Sequence, residues 1–294
     1  RGNNSVNGMN QALIVVDGVP INADGVESNN NADYSSYVTG GGITDVNSND
    51  IESISVLKGP NASALYGSRA GNGVILITTK TGSKAEGLGI SLNTNLTMDS
   101  PMYLPEFQNE YAQGTLGAAY TDILTDFGSS SWGPKMGAEQ MYFDGMPRRT
   151  QAYPDNVKDF FDTGIKASTS LSIQDASEKG SVRFSYTNND HKGIIPSSTL
   201  VSHNFNLRGV MNLSDKLTVD AKATYFTQEV NNRQFLGGEG IMGPLYQMPR
   251  SVDIKDLEQY QVDNPGTPEE YVVRNYAGPN SQTANPYWMA NHDT

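Results

Sequence analysis

Asp50-Ile51-Glu52-Ser53-Ile54-Ser55-Val56-Leu57-Lys58-Gly59-Pro60, continued by Ala64-Leu65-Tyr66-Gly67-Ser68-Arg69-Ala70-Gly71-Asn72-Gly73-Val74-Ile75-Leu76-Ile77-Thr78-Thr79-Lys80, decides how the first part of the chain is read. Ile51, Ile54, Val56 and Leu57 supply a β-rich run that Gly59-Pro60 breaks. Residues 62–66 suffice for a single helical turn, and residues 74–79 return as a strand. Gly59, Gly67, Gly71 and Gly73 are expected to take backbone conformations closed to other residues at tight reversals. Upstream, residues 12–16 form a short apolar run closed by Asp17-Gly18, which predicts a strand buried on both faces followed by a turn. Residues 22–50, rich in Asn, Asp, Ser and Gly and including Gly40-Gly41-Gly42, predict a long exposed loop. Nothing in this pattern needs to be catalytic.

Beyond residue 86 the pattern changes to period two. Leu88, Ile90, Leu92, Leu96 and Met98 share one face, against Gly89, Ser91, Asn93, Asn95 and Thr97. The alternation recurs with Ile165, Leu171 and Ile173 against Lys166, Ser168, Ser170 and Ser172. It returns with Val182, Phe184 and Tyr186 against Arg183, Ser185 and Thr187. Val201, Phe205, Leu207, Met211 and Leu213 form a fourth apolar face, interrupted by His203 and Gly209. Leu217, Val219, Ala221, Ala223 and Tyr225 form a fifth, facing away from Lys216, Thr218, Asp220, Lys222 and Thr224.

Soluble antiparallel sheets alternate in the same way, so the connections carry the distinction. Ser214-Asp215 and residues 175–180 are short, whereas 99–163, 188–199 and 228 onward are long. Tight turns alternating with long loops characterise outer-membrane barrels. About five strands cannot close a barrel in lipid, where open edges are not tolerated. The strands therefore belong either to a soluble sheet or to a larger barrel; one of ~22 strands would need on the order of 900 residues at this spacing. Both ends of the chain read as cuts.

Composition narrows the function. Twenty Lys and Arg against 32 Asp and Glu give a formal charge of −12, the wrong sign for a nucleic-acid partner. With no cysteine, disulfide scaffolds, Zn–thiolate sites and thiol catalysis are excluded. No apolar run is long enough for a transmembrane helix, and no basic-then-apolar leader opens the sequence. A low mean hydropathy of −0.49 is compatible with barrel strands, which expose only alternate residues to lipid. His191, His203 and His292 lack metal-ligand spacing, and no cofactor or catalytic set is expected. The Gly67–Gly73 region lacks the Lys-Ser or Lys-Thr of a phosphate loop. The stretch from Asp45 to Asp50 begins like a Ca²⁺ loop, but Asp50 stands where Gly is needed and Val56 where Glu is needed, so it reads as a polar lead into the next strand. Glu269-Glu270 reads as solvated surface.

The quoted stretch, "VLKGP…ALYGS…GVILITTK" with Val15-Val16-Asp17-Gly18-Val19-Pro20-Ile21 before it, resembles the plug of TonB-dependent outer-membrane transporters. Asp17, Gly18, Lys58, Gly59, Pro60, Tyr66, Gly67, Gly71 and Gly73 are the positions that carry the motif. The spelling "SRAGNGVILITTK" resembles the SusC/RagA branch, as do Ser131-Trp132-Gly133-Pro134-Lys135-Met136, residues 155–161 and Lys192-Gly193-Ile194-Ile195-Pro196. The resemblance implies a mostly β protein: a transmembrane antiparallel barrel of about 22 strands, about five of them here, with a small α+β plug in its lumen. It assigns residues 1–82 to the plug and 86–294 to the first wall strands and extracellular loops. It further implies import of oligosaccharides, or of peptides, across a bacterial outer membrane. The partners would be a SusD-like lipoprotein, outer-membrane lipid and TonB, the last acting through a segment not present here. No enzymatic role is implied. Ligand contact is expected at Asp33, Tyr34, Tyr37, Tyr66, Ser68, Arg69 and Trp132, with Trp288 as a further ligand-facing or interfacial residue. The plug–wall interface is expected to be polar and hydrated. A soluble or surface-anchored β-rich carbohydrate-binding module or adhesin is the alternative; it would explain the alternation but not the plug motif.

Overall fold

The strand from Leu13 to Val16 (β1) is apolar throughout, and such a strand is satisfied only between two partners and beneath a cover. A computed structural model of the protein, describing residues 12–21, 27–28, 37–38, 46–58, 60–84, 89–120, 130–233, 240–263, 271–274, 276–277 and 285–291, gives it both. On one side β1 pairs antiparallel with β2 (Val19–Ile21). The two-residue turn has Asp17 and Gly18 at φ 48° and 85°, the left-handed geometry that suits a tight hairpin. On the other side β1 runs parallel to β4 (Val74–Thr79), which pairs antiparallel with β3 (Ile51–Leu57). The sheet order is β2-β1-β4-β3.

Between β3 and β4 the chain forms helix α1 (Pro60–Tyr66) and a 3₁₀ turn from Gly67 to Ala70. Pro60 opens the helix, where its missing N–H costs nothing. Val15, Ala62, Ala70 and Val74 are buried together, with Leu13, Leu57, Tyr66 and Leu76 packed against them. Gly67 and Gly73 adopt φ of 70° and 100°. Gly71 does not: its φ is −56°, ordinary helical backbone, so conformational freedom is not what places glycine there. Gly59 lies outside the described residues. Residues 22–50 are not all exposed loop either: Glu27–Ser28 pairs with Tyr37–Val38, Ser48–Asp50 is a 3₁₀ turn, and Asp50 is only 6% exposed.

The second sheet is a five-stranded antiparallel meander: β5 (Ile90–Asp99), β6 (Gly164–Ser177), β7 (Gly180–Lys192), β8 (Thr199–Ser214) and β9 (Leu217–Asn231), each paired with its sequence neighbour. Register aligns the apolar positions into rows across the sheet. Leu92, Leu171, Tyr186, Phe205 and Tyr225 form one row, and Ile90, Ile173, Phe184, Leu207 and Ala223 the next. Ser91, Ser172, Ser185, Asn206 and Thr224 form a row on the opposite face. The burial is inverted relative to a soluble sheet: Leu92 is 69% exposed while Ser185 is 1% exposed. The apolar face looks outward, and the polar residues of the middle strands β6–β8 are covered while those of β5 and β9 stay largely exposed.

The link expected over residues 188–199 is shorter than the sequence pattern suggests. Asn188 to Lys192 pair with Thr199 to His203, so only residues 193–198 lie between the strands. These polar residues lengthen the strands beyond the apolar band. The remaining long links form a cap. Short helices α2 (Asn156–Phe160), α3 (Met242–Gln247) and α4 (Pro286–Asn291) and the 3₁₀ turn from Ile254 to Leu257 surround a core that includes Val157, Phe160, Ile241, Leu245, Met248, Val252, Ile254, Leu257 and Tyr276. Among the described residues no helix is long and apolar enough to cross a membrane.

Candidate functional site

One end of the small sheet, made by the β1–β2 turn, the lead into β3 and the end of β4, meets the polar face of the wall, and the junction is built around two carboxylates. Asp50 sits at the end of the 3₁₀ turn that Asn47 caps through its side chain. It accepts from Arg183 Nη2 at 2.9 Å, Ser185 Oγ at 2.6 Å and Asn206 Nδ2 at 2.8 Å, all on the wall, and from Asn47 Nδ2 at 3.0 Å. Arg183 and Asp50 are each about nine-tenths buried, which makes this the most desolvated ion pair of the molecule's described residues. The Arg183 Nε–H has no protein partner, while its Nη1 donates to Gln174 at 2.9 Å. Above it, Asn47 donates to Thr187 Oγ1 at 2.7 Å.

Asp17, in the β1–β2 turn, makes the second junction. It accepts from the Thr79 amide at 2.8 Å and hydroxyl at 2.6 Å, and from Lys222 Nζ at 2.9 Å. Arg208 reaches the same place, donating to the Thr79 carbonyl at 2.7 Å and to Asp17 at 3.4 Å. Its other edge is held by Asp220 at 2.7 and 3.1 Å. Burial pushes the Asp17 carboxyl up, but the Thr79 hydrogen bonds and the Lys222 ammonium outweigh it and hold the group below its ordinary value of 3.8. Gln174, Arg183, Arg208 and Lys222 form one cross-strand row, so the wall presents a line of cations to the small sheet.

Beside these junctions, over β5 and β6, lies a polar cavity of about 440 Å³ between the two sheets. Farther down, the backbone at Gly82 presses on the wall: a Cβ there would stand 2.4 Å from the Val182 carbonyl oxygen and 2.7 Å from that of Asp175. Only glycine fits that approach without displacing backbone.

The predicted ligand residues fall in separate places. Ser68 and Arg69 are exposed on the 3₁₀ turn after α1, and Tyr66 is half-buried against the small core. Trp132 is 59% exposed in the cap, with its ring 5.8 Å from that of Tyr111. Trp288, read as ligand-facing or interfacial, is instead buried in α4. Tyr37 lies in a two-residue strand, and Asp33 and Tyr34 lie outside the described residues. Lys58 is exposed at the end of β3. Among the described residues no cluster of His, Asp and Glu is arranged to hold a metal ion. Sequence reasoning missed Asp50, Arg183, Arg208 and Lys222 as partners; charges recurring on the polar face of successive strands were the available signal, but only the register reveals that they align.

A family model for the TonB-dependent receptor plug domain matches residues 1–74. The TonB-dependent receptor P26 of Formosa agariphila is 31% identical over 229 residues, covering 76% of this chain and 20% of that protein. The TonB-dependent receptor SusC of Bacteroides thetaiotaomicron is 30% identical over 198 residues, covering 67% of this chain and 17% of that protein. The chain thus spans about a fifth of the length of the curated relatives it matches. The structure of the RagAB peptide importer in its closed-closed state superposes with a TM-score of 0.61 at 19% identity, over 98% of this chain and 31% of the matched chain, which establishes a common fold. With its plug motif, its outward-apolar strands and these relatives, the chain belongs to the TonB-dependent receptors, in their SusC/RagA branch.

Proposed function

We propose that this chain is the plug (residues 1–82) and the first wall and loop region (86–294) of an importer in a bacterial outer membrane, taking up large hydrophilic nutrients in a TonB-dependent manner. Oligosaccharides are the cargo favoured here, with peptides the other class. A SusD-like surface lipoprotein would act as the lid. The observation that carries the reading is the inverted wall: its apolar rows face outward, where lipid would meet them, and its polar rows face the plug. A row of exposed Leu, Ile, Phe and Met across five strands is far larger than a water-soluble surface tolerates. The fold shared with the RagAB peptide importer supports the peptide class of cargo. Tyr66, Ser68, Arg69 and Trp132 remain the proposed cargo contacts, since aromatic faces and exposed donors suit sugars and peptide groups.

The test is the mass and company of the native protein extracted from outer membranes in detergent. The expected result is a chain on the order of 100 kDa, scaled from a ~22-strand barrel, that co-purifies with a lipoprotein. A detergent-independent species of 31.8 kDa would overturn the reading in favour of a soluble β module.

A further inference from the structure

The outward face of the wall carries one row that breaks its apolar character. Thr94, Thr169, Asn188, His203 and Thr227 are cross-strand partners from β5 to β9, next to the row of Leu92, Leu171, Tyr186, Phe205 and Tyr225 and farther from the tight turns. Beyond it, β5 and β6 return to Leu96 and Met98 and to Ala167 and Ile165. On β7 and β9 the same rows hold Asp190 and Lys192, and Glu229 and Asn231. The outer limit of the apolar band therefore falls from the row of Met98 on β5 to the row of Tyr225 on β9. That is six residues of register, roughly 20 Å, across four strand spacings, roughly 19 Å. The slope of about 45° matches the tilt of strands in a membrane barrel. One row thus lies inside the band at Thr94 and Thr169 and at its outer boundary at Asn188, His203 and Thr227.

At that boundary three side chains are already organised. Asn188 Nδ2, which can only donate, lies 3.3 Å from His203 Nδ1, and the Tyr186 hydroxyl lies 3.0 Å from the same nitrogen. Nδ1 is therefore the acceptor, and in the neutral ring the proton sits on Nε2. The Tyr186 ring holds the imidazole from the side, with the two planes 8° apart and the centroids at 6.2 Å. Phe205, 4.6 Å from Tyr186, and Tyr225, 6.2 Å from Phe205, extend the aromatic surface toward the band. The Nε2–H has no partner among the described residues, and an unpaired donor facing lipid is costly. One row farther out, Asp190 and Glu229 are exposed and belong to no ion pair among the described residues, whereas Lys192 is held by Asp162 at 2.8 Å.

Building on the importer reading, we propose that Tyr186, Asn188, His203 and Asp190 form a binding site for a zwitterionic lipid, one whose headgroup carries a phosphate and an ammonium. His203 Nε2–H donates to a phosphate or ester oxygen at the edge of the hydrocarbon. Asp190, about 7 Å farther along β7 than Asn188, takes the ammonium, and an acyl chain lies along Phe205 and Tyr225. The order of the groups sets the class of lipid. The donor stands at the hydrocarbon edge and the carboxylates outside it, the order in which such a headgroup presents its phosphate and its ammonium. A headgroup with only negative charge would meet Asp190 and Glu229 with Lys192 already engaged, and like charges repel.

The experiment titrates the delipidated full-length transporter with phosphatidylethanolamine or with phosphatidylglycerol and counts bound lipids by native mass spectrometry. The parent is expected to hold phosphatidylethanolamine roughly tenfold more tightly than phosphatidylglycerol. His203→Phe, which keeps a ring in the stack and removes the donor, should abolish the preference, and Asp190→Lys should reverse it. Thr94→Leu, in the same row but inside the band, should leave it unchanged. No preference in the parent would mean that the rings are a general interfacial anchor only. A preference that survives both His203→Phe and Asp190→Lys would mean that the lipid is held elsewhere; either result overturns the proposal. Nitroxide labels on Thr94→Cys and Thr227→Cys in bilayers test the placement: oxygen should relax the first and a water-soluble nickel chelate the second, and equal depth at both positions overturns it. Fractionation of the source cells keeps the two readings apart. A full-size outer-membrane protein without the lipid preference defeats this inference and leaves the importer standing, whereas a protein absent from that membrane defeats both.

Discussion

The plug–wall junction and the loop cap bury side chains to the same degree by opposite chemistry. Beneath the plug, Ser185, Thr187, Ser202, Asn204, Arg183 and Asp50 are almost wholly covered, and nearly every contact is a hydrogen bond or an ion pair. In the cap, Phe160, Leu245, Met248, Val252, Ile254 and Leu257 are covered just as fully, and the interior is apolar. Even the buried Arg250 of the cap is treated as packing: its guanidinium lies 4.4 Å over the Phe107 ring and donates to the Met248 and Leu245 carbonyls, and burial lowers its pKa below the ordinary arginine value. An apolar interior gains from excluding water and stays closed. The hydroxyl and amide contacts of a polar junction gain little over their hydrated state and can reopen, while the buried Asp50–Arg183 pair within it is the contact that resists parting. The difference marks which parts of the molecule are built to stay together and which are built to come apart.

The sharpest way to break this comparison is Asp50→Ala. It leaves Arg183 buried without its partner and is expected to weaken plug docking by ~3–5 kcal/mol. The measurement is the urea concentration at which a fluorophore on Ser68→Cys reports plug release in the full-length protein. Asp50→Ala with Arg183→Met should recover most of the loss, because replacing both members of a buried pair is often neutral. A single variant as firmly docked as the parent would mean that the ion pair is not the anchor. Next in size is Leu245→Ala in the cap, expected to cost ~2–5 kcal/mol through the cavity it leaves. Hydrogen exchange should rise over residues 240–257 and 153–161 and stay unchanged in β6–β8. Exchange rising in the wall as well would mean that cap and wall are one cooperative unit.

Much of the fold is legible in the sequence because period-two alternation and turn chemistry are local. The tracts around Leu171, Phe184, Phe205 and Val219 announce the wall strands, and Asp17-Gly18 announces its hairpin. Two things are not local. Asp50 looks like the polar end of a loop; only the register that stacks Arg183 beside Arg208 and Lys222 turns it into an anchor. The cap is hidden for the same reason: Phe160 and Leu245 stand in short segments with no periodicity, and their shared core depends on bringing together links separated by four strands. Gly71 shows the opposite limit. A glycine in a Gly-rich stretch invites a conformational reading, yet its backbone angle is one any residue adopts.

The smallest expected effect concerns the second anchor, and its sign follows from Asp17. The carboxyl is held below 3.8 in the docked state, burial being outweighed by Thr79 and Lys222. A depressed acid contributes its stabilisation fully above its undocked pKa and loses it as the pH falls through the docked value. The urea midpoint for plug release should therefore show no contribution from Asp17 between pH 7 and pH 5, and fall as the medium is made more acidic than about pH 4. Asp17→Asn should lower the midpoint at pH 7 by an amount equivalent to about 1–2 kcal/mol and make the acid limb shallower than the parent's. Asp220→Asn, which removes only the exposed partner of Arg208, should change it by less than about 1 kcal/mol. If Asp17→Asn leaves the acid limb as steep as in the parent, the protonation that releases the plug occurs elsewhere, and the Asp17 junction follows the Asp50 anchor instead of sharing the load with it.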